Sequence, residues 1–234
     1  MPGIRQARAR PQVPRPIAPS VPIRAVLWDL DGTLLDSNPS IRATMNHVLK
    51  ERGLPVFAKQ ELDLLVGHPL REILATKCPD PAVVETMAHR YRAVYNESGW
   101  LTVRLHDGVP ELVDELERRG VRQALVTSKG QQETETLITD LGFAHPWDAI
   151  VGDDDVRPLK PDPAPVLEAL RLLDCLPGEA AMVGDTRFDI GAGKGAGVLA
   201  VGVLWGNGSA ESLRQAGADA LVRDPKELRK LLLK

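Results

Sequence analysis

Cysteine is almost missing from this sequence. Its 234 residues contain only Cys78 and Cys175, with no Cys-x-x-Cys pair, which excludes a disulfide framework and a zinc knuckle and suits a reducing cytoplasm. Long apolar runs are missing too. None approaches the roughly 20 residues that span a bilayer, and the N-terminus lacks the apolar core of a secretory signal. These absences predict a soluble, unexported chain with no membrane partner. Nor is there a surplus of one charge. With 29 basic and 32 acidic residues and a formal net charge of -3, no broad electropositive field is offered to nucleic acid. A small anionic substrate has to be held by local groups instead. What is plentiful is apolar: 43% hydrophobic content suffices for one sizeable core, or for one core and a small accessory domain.

Residues 1–22 (MPGIRQARARPQVPRPIAPSVP) are rich in Arg and Pro, hold no acid and show no apolar period, so they read as a disordered tail. Arg without acids also has the composition of an organelle transit peptide, but prolines throughout and the absence of a clear amphipathic pattern argue against it. From Arg24 the texture changes to short apolar runs, AVLWD, QALVTS, DAIVG, AAMVGD, LAVGVL and DALV, alternating with helix-like segments. That alternation predicts an α/β fold, a Rossmann-like parallel sheet flanked by helices. Several runs end in a polar residue, where open α/β sheets bind ligands; Asp29, Thr127 and Asp185 hold such ends.

Residues 38–104 contain no convincing strand. Apolar residues recur there at helical spacing, as in Ile41, Met45, Val48 and Leu49, then Leu62, Leu65 and Val66, then Val83, Val84, Met87, Tyr91 and Val94. The stretch is too long for a plain crossover and predicts an inserted all-helical cap, with the α/β core formed by 23–37 and 105–234. Asp224 followed by Pro225 starts a last helix whose Leu228, Leu231 and Leu232 face the sheet.

Four strings carry chemistry. In WDLDGTLLDS, Asp29 and Asp31 leave an apolar strand two residues apart, a spacing that aims both side chains into one pocket. Asp-Gly alone is a common turn pair, but Asp-x-Asp-Gly-Thr-Leu arises by chance in under about 1% of chains this long. In ALVTSK, the Thr127 hydroxyl and the following N–H groups, placed at a helix N-terminus, form a phosphate cradle, although a Thr-Ser pair at a strand end also serves as a plain helix cap. In VRPLKPDP, Pro158 and Pro161 frame Lys160 and limit where its ammonium points; Asp154 and Asp155 just upstream read as loop residues. In AMVGDTRFDIGAGKGAG, Asp185 follows a strand and Asp189 comes one helical turn later, so both carboxylates can face one site. GAGKGA from Gly191 mimics a dinucleotide fingerprint, but it does not directly follow a strand.

These four strings, in this order, resemble the haloacid dehalogenase-like superfamily, and in particular its phosphoglycolate-phosphatase-like branch with a helical cap. The resemblance covers about residues 24–234. It implies an Mg²⁺-dependent phosphatase acting on a small phosphorylated metabolite through an aspartyl-phosphate. Asp29 becomes the nucleophile, and Asp31 the acid that protonates the leaving oxygen and then activates water. Thr127, supported by the backbone of Ser128, binds the transferring phosphoryl group, and Lys160 neutralises charge there. The metal falls to Asp29, the main-chain carbonyl of Asp31, Asp185 and Asp189, a hard oxygen set of the kind Mg²⁺ prefers; Asp189 alternatively orients a water or Lys160. Asp29 has to stay ionised, whereas Asp31 needs a pKa above the ordinary value of about 3.9 to act as an acid near neutrality.

Departures from the pattern are Ser128 where many relatives carry Asn, glycines for alanines in the helix after Asp185, and His106-Asp107-Gly108 where Tyr-Pro-Gly is frequent at the return from the cap. Within the cap, the segment VGHPLRE, 66–72, is expected to face substrate, with His68 or Arg71 pairing an anionic group; Arg71 reads equally as a helix-surface cation. A phosphosugar mutase of the same superfamily uses the same two aspartates and is the alternative reading. Dehalogenases lack an acid at the place of Asp31. Phosphonate cleavage needs a cap lysine, and neither Lys59 nor Lys77 has a supporting motif. A non-catalytic binding protein of this fold is expected to have lost one of the six core residues, all of which are present.

Overall fold

The structure is a computed structural model that describes residues 22–143, 145, 147–153 and 158–233. Asp154, Asp155 and the expected tail, apart from Pro22, lie outside the described residues. Strand β1 (Ala25–Trp28) leads into the short β2 (Leu35–Asp36). Helices α1 (Asn38–Glu51), α2 (Lys59–Asp63), α3 (Leu70–Ala75) and α4 (Pro81–Glu97) follow, and the chain returns through β3 (Arg104–Leu105). Next come α5 (Val109–Arg118), β4 (Arg122–Gly130), α6 (Gln131–Asp140), β5 (Ala149–Asp153) and α7 (Ala164–Leu172). The chain ends with β6 (Ala180–Gly184), α8 (Arg187–Ala196), β7 (Leu199–Val203), α9 (Ala210–Gln215), β8 (Ala220–Val222) and α10 (Pro225–Leu232).

The six expected runs form one parallel sheet in the order β5-β4-β1-β6-β7-β8. Its strands are apolar without alternation because both faces are covered, and the period of two shows up as a division between two cores. Val26 and Trp28 face α5, α6 and α10, while Ala25 and Leu27 face α7 and α8. Trp28 is fully buried, and its indole N–H donates to Gln123 Oε1 at 3.1 Å, so the polar tip of this large side chain is satisfied. The inserted helices bury Met45, Leu49, Leu62, Leu74 and Met87 in a core continuous with that of the first face. On α4 the buried positions Val84, Met87, Ala88, Tyr91 and Tyr95 trace one stripe; Tyr95, not the half-buried Val94, completes it.

Order and register place the site. β1 lies between β4 and β6, with Trp28 opposite Leu125 on one side and Val183 on the other. The residues just beyond therefore meet at the carboxyl edge, where the direction of winding reverses. Two features differ from expectation. β2 and β3 pair antiparallel, Leu35 with Leu105 and Asp36 with Arg104; two residues per strand are too few to show a period. β4 does not end at Thr127 but runs on irregularly to Gly130, and α6 begins only at Gln131. Thr127 thus sits in a distorted strand end and not at a helix N-terminus. The return from the cap uses Gly108 in the left-handed region, at φ 81°, as N-cap of α5. Among the described residues no helix is long and apolar enough to cross a membrane.

Candidate active site

The turn after β1 is closed by Leu34 N–H donating to Leu30 O at 3.0 Å and Gly32 N–H to Leu35 O at 2.7 Å. Gly32 has φ +94°, and a Cβ there would collide with the Asp185 carboxylate, so only glycine lets the two loops approach so closely. Asp29 is 7% exposed and Asp185 and Asp189 are buried. One oxygen from each of these three acids lies within 4.8 Å of the others.

Lys160 closes the group. Its Nζ donates to Asp29 Oδ1 at 2.7 Å, Asp189 Oδ1 at 2.6 Å and Val126 O at 2.8 Å, which uses all three donors of an ammonium. Asp189 is the third residue of α8, and its Oδ2 accepts from Thr186 N–H at 2.9 Å and Thr186 Oγ1 at 2.6 Å, a capping box. Both of its oxygens are therefore engaged. Asp185 Oδ2 accepts from the Asn207 main-chain N–H at 2.6 Å and from its side chain at 2.9 Å. Asp29 Oδ2 makes no hydrogen bond among the described residues.

Burial and the neighbouring Asp189 push the Asp29 carboxyl well above the usual carboxylate range, against the pull of Lys160. The same two causes push Asp185 up to about 7, with the Asn207 hydrogen bonds opposing them. Lys160 would be lowered by its own burial, but Asp189 and Asp29 outweigh that and raise it above the ordinary lysine value. Three buried acids face one ammonium. Buried charge persists when it is paired or metal-bound, and this donor set of carboxylate oxygens fits a hard divalent cation such as Mg²⁺.

A cleft of about 100 Å³ joins this group to the helical insertion. Asp29, Asp31, Thr127, Ser128, Lys160 and Asp189 line it from the core, and His68, Tyr91 and Arg92 from the cap. His68 stands edge-on to Phe188 of α8 at 4.6 Å and has Glu72 at 3.3 Å. Arg71 does not line the cleft. Its Nε and Nη2 reach Glu85 on α4 at 2.6 and 3.0 Å, tying α3 to α4, because its place on α3 turns it toward the neighbouring helix. The guanidinium at the cleft is that of Arg92, 3.3 Å from Glu133 and 3.9 Å from Asp153 of the core.

Over residues 26–203 the chain matches the family described as haloacid dehalogenase-like hydrolase. It is 35% identical over 210 residues to the pyrophosphatase PpaX of Bacillus velezensis, covering 88% of this chain and 94% of that protein. It is 34% identical over 209 residues to a phosphoglycolate phosphatase of Xanthomonas campestris pv. campestris, with the same coverage. A crystal structure of a predicted phosphatase from Clostridium acetobutylicum superposes with a TM-score of 0.81 at 29% identity, covering 91% of this chain and 99% of that one. The chain belongs to the haloacid dehalogenase-like hydrolases. Within them it falls in the phosphoglycolate-phosphatase-like branch with a helical cap, and it is a hydrolase.

Several cleft residues of this hydrolase were not singled out by sequence patterns: Tyr91, Arg92, Lys129, Glu133 and Asp153. Tyr91 reads as ordinary core, and Arg92 as helix surface. The usable signal is their adjacency on α4, since a cation directly beside a buried stripe lies at the rim of whatever that stripe covers. The glycines of GAGKGA fall inside α8 and not at a strand-to-helix turn, so they have no geometry for a dinucleotide. A Cβ on Gly191 would come to 2.9 Å from Pro161 Cβ, so its bareness lets α8 press against the loop that carries Lys160.

Proposed function

We propose that this hydrolase is a phosphatase that cleaves a small phosphate monoester through an aspartyl-phosphate on Asp29, with Mg²⁺ as cofactor. The observation that carries this reading is the placement of one ammonium, Lys160, between Asp29 and Asp189, beside Asp185 in the same buried group. In the first step the unbonded oxygen of Asp29 attacks phosphorus. The bond from phosphorus to the ester oxygen breaks, and Asp31 gives its proton to the departing oxygen. In the second step ionised Asp31 takes a proton from water, whose oxygen attacks phosphorus; Asp29 is released as carboxylate and inorganic phosphate leaves. Splitting the reaction through a nucleophile replaces one slow displacement by two easier ones.

Thr127 and the backbone of Ser128 hold the phosphoryl oxygens from the irregular end of β4, and Lys160 balances the charge gathering there. Asp29, Asp185 and the main-chain carbonyl of Asp31 would hold Mg²⁺, which supplies positive charge to a phosphoryl oxygen when bound. Asp189 contributes by fixing Lys160, since both of its oxygens are already occupied. The small cleft volume and its roof of cap residues support a small metabolite as substrate and a site from which bulk water is excluded. We place the activity in the reducing cytoplasm, in keeping with the free thiols Cys78 and Cys175.

The test is phosphate release from p-nitrophenyl phosphate and a panel of phosphorylated metabolites, with Mg²⁺ and with chelator, for the parent and Asp29→Asn. Activity confined to the parent with Mg²⁺ is expected. Equal activity of both proteins would remove Asp29 as nucleophile. Isomerisation of a hexose phosphate in the presence of a bisphosphate, with no phosphate release from any monoester, would make the protein a mutase.

A further inference from the structure

On the side of the cleft marked by Asp31 there is a cation that the hydrolytic scheme does not use. Lys129 lies two residues beyond Thr127 in the irregular end of β4, and its side chain is only 8% exposed. Its Nζ stands 3.4 Å from Asp31 Oδ2 and 4.3 Å from the centre of the Tyr95 ring, and Tyr95 in turn stacks on Tyr91 at 5.7 Å. An ammonium has three N–H donors. One carboxylate at 3.4 Å and one aromatic face still leave hydrogen-bonding capacity in a residue that lines the cleft. Burial alone would lower its pKa, but Asp31, with Tyr91 and Glu133, more than offsets this and holds it above the ordinary lysine value.

Its neighbours are also short of partners. Asp31 Oδ1 and the Tyr95 hydroxyl are buried and have no hydrogen-bond partner among the described residues, and each buried unsatisfied polar atom calls for an explanation. The other strong cations of the cleft are committed, Arg92 to Glu133 and Asp153, and Lys160 to Asp29, Asp189 and Val126 O.

We propose that Lys129, backed by Tyr95 and Tyr91 of the cap, is the residue that selects the leaving group, by receiving a carboxylate or second phosphoryl group carried close to the ester oxygen. The inference rests on the phosphatase reading, in which Asp31 protonates that oxygen. Because Lys129 and Asp31 are near neighbours, the anionic group must stand within two or three bonds of the oxygen that Asp31 serves. A leaving group with a cation at the same position meets like charge and is disfavoured.

Three phosphate esters with the same two-carbon chain test it: 2-phosphoglycolate, ethyl phosphate and 2-aminoethyl phosphate, which place a carboxylate, a methyl and an ammonium at the second carbon. The parent is expected to show kcat/KM at least about tenfold higher for the carboxylate than for the methyl ester, and lowest for the ammonium, as a charge-assisted hydrogen bond implies. Lys129→Met should bring the carboxylate-to-methyl ratio to within about threefold of unity, and Lys129→Arg should keep the order. A parent ratio near one, or a ratio that survives in Lys129→Met, overturns the subsite and leaves the phosphatase reading standing. So does cleavage of p-nitrophenyl phosphate with none of the three esters accepted. If no phosphate ester is cleaved, the phosphatase reading fails and the subsite falls with it. Even if the methionine variant does not fold, a parent ratio near one overturns the subsite.

Discussion

Lys160 Nζ lies 2.7 Å from Asp29 Oδ1 with the lysine side chain 3% exposed, so the ammonium and the carboxylate hold each other in a place where neither is solvated. Removing the cation leaves Asp29 and Asp189 buried and unpaired. Breaking a buried pair in this way costs about 3–5 kcal/mol. Lys160→Met is therefore expected to melt well below the parent and to lose at least about a hundredfold in kcat. Lys160→Arg should not restore activity, because a planar guanidinium cannot address Asp29, Asp189 and Val126 O as a compact ammonium does. Thermal melts and steady-state kinetics check both; a methionine variant within about threefold of parental kcat would remove Lys160 from the site chemistry.

The acids make stability depend on pH. Asp185 is raised to about 7 and Asp29 is raised as well, burial being the first cause for each. A carboxyl with a raised folded pKa binds its proton more tightly when folded. Between the unfolded value of about 3.9 and the folded value the native state holds more protons, and stability falls as pH rises through that window. In chelator the melting temperature should decline from about pH 5 to pH 8 by this linkage. Mg²⁺ should raise it, and more at pH 8 than at pH 5, because the cation competes with the protons only where they are still bound and meets bare carboxylates at the higher pH. Melting curves at four pH values with and without Mg²⁺ test this; a larger metal effect at pH 5 would contradict it.

On the proposed mechanism, Asp31 acts in both chemical steps. Departure of p-nitrophenolate needs little help from a proton, whereas an alkyl leaving group does. Asp31→Asn should therefore lose about 10²–10⁴ in kcat on an alkyl phosphate and release a burst of p-nitrophenol from p-nitrophenyl phosphate, since water is then poorly activated and the phosphorylated Asp29 accumulates. Stopped-flow absorbance and mass of the acid-quenched protein measure this. A steady rate with no burst and no added phosphoryl mass would deny Asp31 the second role.

How far this site was legible in the sequence follows from what each signal depends on. Asp29, Thr127 and Asp185 stand out because apolar runs end there, and parallel neighbours bring such ends together whatever lies between them. Asp189 follows from helical spacing after Asp185, and the prolines around Lys160 mark its loop. Lys129 did not stand out although its string was read. It faces the cleft only because β4 loses its register between Val126 and Gly130, and a distortion of that kind leaves no period. Tyr91 and Arg92 depend on how α4 docks on the core, a tertiary matter. Arg71 and His68 sit in one expected segment, yet Arg71 falls on α3 and reaches Glu85, while His68 precedes that helix and meets Phe188. The antiparallel β2–β3 pair is two residues long on each side and has no pattern to read.

Gly191 tests whether the glycines of α8 are a weakness or a fit. Helix propensity favours alanine over an interior glycine by about 1 kcal/mol, so on that ground alone Gly191→Ala should stabilise. The structure argues the opposite sign. A Cβ at 191 would stand 2.9 Å from Pro161 Cβ, and a proline ring atom next to the backbone cannot swing away as a flexible side-chain tip can. Either α8 or the loop has to move, and overpacking of this kind costs about 1–3 kcal/mol. Pro161 follows Lys160 directly, so the displacement reaches the ammonium between Asp29 and Asp189. Gly191→Ala is expected to be net destabilised in urea denaturation and to lose kcat with little change in KM. Gly178→Ala, where an added Cβ meets nothing within 4 Å, should be neutral or slightly stabilising. A Gly191→Ala protein that gains stability and keeps its kcat would show that α8 and the Lys160 loop are packed more loosely than these contacts imply.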